Sequence, residues 1–181
     1  MPSKFRISIN LTEPEFMDED IITELVEIIL DSTMEGEQFC FEITESILIE
    51  SLTETIKVID RLHESDITVA IDDFGTGYSS LSYLKELKAD KLKIDRAFIK
   101  DYPDKDNGTL IKAIFRLTDE LHVETLIEGV ETYEQHQFCL ECGCMEYQGY
   151  YGSRPVDKEE IKRIIKEHKL ERERGVVEIK L

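Results

Sequence analysis

The chain has 181 residues, with 40 Asp and Glu against 22 Lys and Arg, a formal charge of -18 and a pI near 4.6. So acidic a balance argues against binding polymeric nucleic acid or an anionic membrane, both of which select for basic surfaces, but not against a small phosphate ligand, because a bound cation inverts the local field. The length suits one domain with a sizeable core. No apolar run approaches the roughly 18 residues of a membrane span, and no basic-then-apolar signal opens the sequence, so a cytoplasmic protein is expected.

The first β-like run is Phe5-Arg6-Ile7-Ser8-Ile9, ending at Asn10. Ile21, Ile22, Leu25, Ile28 and Ile29 then recur near 3.6 spacing and predict a helix. Phe39-Cys40-Phe41 reads as a strand ending at Glu42. Ser51 with Glu54 makes a capping box ahead of Ile56, Ile59 and Leu62. Strand Thr68-Val69-Ala70-Ile71 runs into the pair Asp72-Asp73. A loop with two glycines follows, and Ser79-Ser80 opens a short helix carrying Leu81, Leu84 and Leu87. Lys91-Leu92-Lys93-Ile94 predicts a strand ending at Asp95. Leu110, Ile111, Ile114, Leu117 and Leu121 mark the next helix, which leads to Glu124-Thr125-Leu126-Ile127, ending at Glu128. Thr132 with Gln135 gives a second capping box, and Gly143 suits a helix stop. A last strand around Met145-Glu146-Tyr147 ends near Gln148-Gly149. Ile161, Ile164 and Ile165 belong to a final amphipathic helix, and the tail from Gly175 to Leu181 reads as a frayed terminus, although its alternation would also let it cover a sheet edge. Cys40, Cys139, Cys142 and Cys144 are expected to be free thiols, since Cys139-x-x-Cys142-x-Cys144 has no second ligand pair at zinc spacing.

Strand–helix alternation of this kind makes a parallel α/β sheet, either doubly wound or a barrel. The barrel is favoured because nearly every strand ends in a polar or ionisable residue. In a (β/α) barrel those ends converge on one face, where the chemistry sits. A full barrel needs eight strands and about 250 residues. Six strands are found here, so an incomplete TIM-like barrel is expected, its two further units lying upstream. Its two open edges favour self-association.

Adjacent aspartates repel, which disfavours ionising both unless a cation or donors offset the charge. Asn10, Glu42, Asp72, Asp73 and Glu128 form an oxygen-rich set suited to Mg²⁺ or Mn²⁺. Two such ions would clamp the attacking and leaving oxygens of a phosphodiester. Lys93 beside them would orient or deprotonate the attacking water. Taken singly, each carboxylate reads more readily as a surface group or a helix N-terminal partner. Their common placement at strand ends sets them apart.

The runs Ser8-Ile9-Asn10-Leu11, Phe41-Glu42-Ile43-Thr44-Glu45, Ile71-Asp72-Asp73-Phe74-Gly75-Thr76-Gly77-Tyr78-Ser79-Ser80-Leu81, Lys93-Ile94-Asp95-Arg96, Glu128-Gly129-Val130-Glu131-Thr132 and Gln148-Gly149-Tyr150 resemble the EAL domain, in the family's order and over nearly the whole chain. The resemblance implies a bacterial Mg²⁺- or Mn²⁺-dependent phosphodiesterase that opens cyclic di-GMP to linear pGpG on a TIM-like barrel. It implies that Asn10, Glu42 and Asp72 hold a first metal, that Asp72 bridges to a second near Asp73 and Glu128, and that Lys93 contacts the hydrolytic water. Glu45 resembles the glutamate that anchors the loop from Phe74 to Ser80, tied in the family to metal binding and dimerisation, so a homodimer is expected. Glu131 and Gln148 resemble further active-site and ligand-contacting residues. The EAL-type domain is expected over 1–170, with a tail over 171–181. The family takes its name from a Glu-Ala-Leu run whose glutamate is a metal ligand, and no such run occurs here. That motivates an alternative: an inactive EAL-like module that binds cyclic di-GMP or another protein.

Overall fold

Strand and helix alternate along the chain. The computed structural model describes residues 6–47, 51–75, 81–104 and 106–173. In order these hold β1 (Ile7–Asn10), α1 (Glu13–Met17), α2 (Glu19–Leu30), β2 (Phe39–Thr44), α3 (Leu52–His63), β3 (Thr68–Phe74), α4 (Leu81–Leu87), β4 (Lys91–Ile94), α5 (Thr109–Glu120), β5 (Glu124–Glu128), α6 (Tyr133–Glu141), β6 (Glu146–Gln148) and α7 (Lys158–Glu173).

All six strands join one parallel sheet in the order β1-β2-β3-β4-β5-β6. A doubly wound sheet reverses its strand order at a switch point; this one never does. The sheet also curls. Arg6, just before β1, has Nη1 3.4 Å from Glu124 Oε2 on β5 and 3.9 Å from Glu146 Oε1 on β6. Laid flat, β1 and β5 would lie four strand spacings apart, about 19 Å, farther than an arginine and a glutamate reach end to end. The architecture is therefore a TIM-like (β/α) barrel arc of six strands, as the polar strand ends predict.

Residues alternate across each strand. Phe39, Phe41 and Ile43 of β2, Val69 and Ile71 of β3, Leu92 and Ile94 of β4 and Ile127 of β5 are buried in one apolar core with Phe16, Ile22, Ile59, Leu62 and Phe138 from the helices. Each fully buried side chain of this size contributes about 1.5–3 kcal/mol. The alternate positions on the concave side hold the charged groups, among them Glu42, Asp72, Lys91, Lys93 and Glu128.

The helix starts differ in how they are capped. Thr132 and Gln135 form the predicted box, with Gln135 N donating to Thr132 Oγ1 at 3.2 Å and Thr132 N to Gln135 Oε1 at 3.1 Å. The box expected at Ser51 is not made: no side chain caps α3, and Glu54 instead accepts from Lys57 Nζ at 2.8 Å. One helix, α1, carries no readable period because it is five residues long. Its start is marked by Thr12, whose N and Oγ1 donate to Glu15 Oε2 at 2.8 and 2.6 Å. Strands β2 and β3 run past their expected ends, to Thr44 and Phe74.

Candidate active site

The aspartate pair does not end β3; it interrupts it. Ala70 and Ile71 pair with Lys91 and Leu92, and Phe74 pairs with Ile94, so Asp72 and Asp73 together stand opposite the single residue Lys93. Two residues against one is a β-bulge, which bends the strand and re-aims its side chains. In a regular strand neighbours point to opposite faces. Here carboxylate oxygens of Asp72, Asp73 and Glu128 lie within 4.8 Å of one another. Asp73 adopts φ 55°, the left-handed region that a non-glycine residue enters at a cost. Gly75 follows at φ 94°, where an added Cβ would stand 2.2 Å from the Phe98 ring.

Lys93 sits at the centre. It is 3% exposed, and its Nζ lies 2.6 Å from Glu42 Oε2, 2.9 Å from Glu128 Oε1 and 3.0 Å from Asp72 Oδ1. Burial pulls an ammonium's pKa down, but the hydrogen bonds that Lys93 donates to Glu42, Glu128 and Asp72 outweigh it and hold Lys93 above the ordinary lysine value. Burial raises the Glu128 carboxyl; Lys93 opposes the shift, while Asp72 and Asp73 add to it. Asp73 is raised by burial and by the charges of Asp72 and Asp95, against Lys93.

The concave face carries a second tier of charge nearer the N-terminal strand ends. Lys91, 5% exposed, pairs with Glu146 and lies 3.5 Å from Glu124, and Arg6 reaches the same two carboxylates. That tier balances: Arg6 and Lys91 against Glu124 and Glu146. The upper tier does not, since among the described residues the three carboxylates of Glu42, Asp72 and Glu128 share the ammonium of Lys93. The unbalanced tier is the one that calls for a cation, and it stands at the C-terminal strand ends, where barrels place their chemistry.

The remaining candidates surround this cluster without entering it. Asn10 is in register with Glu42 and Gln148 with Glu128, both side chains exposed at strand ends. Glu131 is exposed, its backbone N donating to Gln135 Oε1 at 2.7 Å. Glu45 is buried at 5%; its Oε2 accepts from Gly75 N at 3.0 Å, and its Oε1 is buried without a partner among the described residues. Residues 76–80 of the loop it would anchor lie outside the described residues, as does the stretch 174–181 of the tail. Two neighbours went unread among the candidates: Asp95, whose charge bears on Asp73, and Lys91. The signal for both was Lys91-x-Lys93-x-Asp95, three ionisable residues on one face of a buried strand.

The EAL domain family model matches residues 1–155. The chain is 34% identical over 158 residues to the bifunctional diguanylate cyclase/cyclic di-GMP phosphodiesterase MucR of Pseudomonas aeruginosa, covering 87% of this chain and 23% of that protein. It is 45% identical over 121 residues to the cyclic di-GMP phosphodiesterase NbdA of the same organism, covering 65% and 16%. The chain thus spans less than a quarter of the length of these relatives. Its structure matches the MucR phosphodiesterase in complex with c-di-GMP at a TM-score of 0.82 with 34% identity, over 88% of this chain and 65% of that one. It also matches the manganese/cyclic di-GMP complex of Klebsiella pneumoniae BlrP1 at a TM-score of 0.78 with 29% identity, over 85% and 40%. The family match takes in all six strands and every group of the acidic tier, and the chain belongs to the EAL domain family.

Proposed function

We propose that this chain is a metal-dependent phosphodiesterase domain that hydrolyses cyclic di-GMP to linear pGpG. The observation that carries the reading is this acidic tier, in which Glu42, Asp72 and Glu128 converge on Lys93 and Asp73 stands within 4.8 Å of Asp72 and Glu128. The donor set fits a hard cation: carboxylates of Asp72, Asp73 and Glu128 stand together, and the charge of Asp72 adds to burial in raising the Asp73 carboxyl. Asn10, Glu42 and Asp72 would hold one Mg²⁺ or Mn²⁺, with Asp72 shared and Asp73 and Glu128 serving a second. When bound, such ions supply charge stabilisation to the phosphodiester and acidify the attacking water.

The protein's own groups set the geometry of the reaction. Lys93, whose ammonium lies within hydrogen-bond distance of Glu42, Asp72 and Glu128, would hold these carboxylates in position beside the attacking water. Glu45 fixes Gly75 and so the start of the loop after the aspartates. Gln148 and Glu131, at the rim, would contact the nucleotide. The domain would act in the bacterial cytoplasm as a homodimer; no described helix is long and apolar enough to cross a membrane.

The same fold supports a second reading. The 181 residues contain no Glu-Ala-Leu run, and without that carboxylate the domain would bind cyclic di-GMP and not cleave it. Chromatography of cyclic di-GMP incubated with the protein and Mg²⁺ or Mn²⁺ separates the two. Formation of pGpG, abolished by Asp72→Ala and by chelation, establishes the enzyme. Saturable binding without product establishes the receptor, and neither binding nor product sinks both.

A further inference from the structure

Strand β4 runs between the two strands that carry the acidic cluster, with Asp72 and Asp73 on β3 and Glu128 at the end of β5. The chain leaves β4 through Asp95 and a single 3₁₀ turn, Arg96–Phe98. Asp95 Oδ1 accepts from Ala97 N at 2.8 Å and fixes the start of that turn. The turn lies between two glycines. On one side is Gly75, just after the aspartate pair, against the Phe98 ring. On the other is Gly129, next to Glu128, where an added Cβ would stand 2.3 Å from Arg96 Cβ. Side chains of one short turn thus press on the backbone beside each half of the cluster, at contacts too close for a methyl group.

Gln135 reaches this turn from α6. It is 3% exposed. Its Oε1 accepts from Glu131 N at 2.7 Å and Thr132 N at 3.1 Å, and its Nε2 donates to Ile99 O at 3.0 Å. Ile99 directly follows the turn and is fully buried. The amide cannot be reversed, because the two backbone N–H groups only donate and the Ile99 carbonyl only accepts. A capping box needs the acceptor alone, and glutamate supplies it as well as glutamine. The bond to Ile99 is therefore the part of this side chain that capping does not require. It joins the loop after β5, which follows Glu128, to the turn after β4.

We propose that Gln135 is a positioning residue for the divalent-cation cluster. By tying Ile99 to the loop after β5 it keeps the Arg96–Phe98 turn wedged between Gly75 and Gly129, and the wedge sets the separation of Asp72 and Asp73 from Glu128. The inference rests on the metal reading of that cluster. Gln135 acts through the turn, as groups behind a metal's ligands act by fixing the orientation of those ligands.

Titration calorimetry of the whole chain with Mn²⁺ at mildly alkaline pH tests this without turnover, with Asp72→Ala as the background for uptake elsewhere on the acidic surface. Gln135→Glu keeps the cap acceptor and lacks the donor to Ile99, and is expected to weaken Mn²⁺ binding about tenfold. Thr132→Ala loses a cap bond and keeps the tie, and is expected to bind as the parent does. Parent-like affinity in Gln135→Glu would overturn the proposal. So would an equal loss in Thr132→Ala, which would leave Gln135 a helix cap and nothing more. Should Gln135→Glu lack the parent's cooperative melt, Phe98→Leu decides: it leaves the tie intact and slackens the wedge against Gly75, so weaker binding supports the wedge and parent-like binding refutes it. A parent that binds no more Mn²⁺ than Asp72→Ala brings down the metal reading as well. A parent that binds, matched by Gln135→Glu, brings down this inference alone.

Discussion

Asp73 combines a left-handed backbone with a carboxyl raised by burial and by Asp72 and Asp95. Both terms oppose folding when no cation is bound. Asp73→Gly removes both, so it is expected to stabilise the metal-free protein by about 1 kcal/mol in urea unfolding while lowering divalent-cation affinity. Lys93 is the opposite case. Lys93→Met strands Glu42, Asp72 and Glu128, and breaking a buried pair costs about 3–5 kcal/mol, so the urea midpoint should fall well below that of the parent. The pH response has a definite sign. Asp73 and Glu128 are carboxyls whose folded pKa lies above the unfolded one, near 4, so the folded chain binds their protons more tightly. Metal-free stability therefore declines as pH rises through the window from ordinary to raised values, and the penalty is complete above it. Added Mg²⁺ or Mn²⁺ should raise the melting temperature more at neutral pH than at mildly acidic pH. An equal shift at both would remove these two carboxyls from the cation site.

At the scale of elements, two capping boxes with the same sequence signature behave differently. Thr132→Ala removes a formed cap and is expected to cost about 1 kcal/mol. Ser51→Ala removes none and should stay within about 0.5 kcal/mol; equal losses in chemical denaturation would mean that both boxes form in solution. The pattern S/T-x-x-E/Q specifies an opportunity: Lys57 takes Glu54 at one site, while at the other Gln135 Oε1 accepts from both Thr132 N and Glu131 N. The strands were legible for a similar local reason: short apolar runs ending in a charged residue mark β2, β4 and β5, and they placed Glu42, Lys93 and Glu128 at one end. The bulge was not legible. An apolar run that meets two aspartates looks like a strand stopping, and only the pairing of Phe74 with Ile94 reveals that it continues.

For the whole molecule, the parallel α/β class followed from the strand–helix rhythm and the barrel from the polar strand ends, while the pairing of charges across the arc did not. The lower tier depends entirely on curvature, because Arg6 and Glu124 are 118 residues apart in sequence; no spacing rule connects them. Net charge acts at this scale as well. At -18, self-repulsion outweighs the exposed ion pairs, each worth about 0–1 kcal/mol. Raising sodium chloride from about 0.01 to 0.15 M shortens the screening length from roughly 30 to 8 Å, and the melting temperature is expected to rise. A fall would show that the ion-pair tiers dominate over the surface excess.

The extra residue in β3 has a consequence for how this domain varies. Because Asp72 and Asp73 share one partner, a chain lacking Asp73 would carry its ladder from Ile71 to Phe74 without changing which face any later residue of the sheet presents. The second aspartate is the extra residue of the bulge. Ladder and acidic cluster are thus separable at a single position: its loss would keep the register of the later strands and leave half of the aspartate pair.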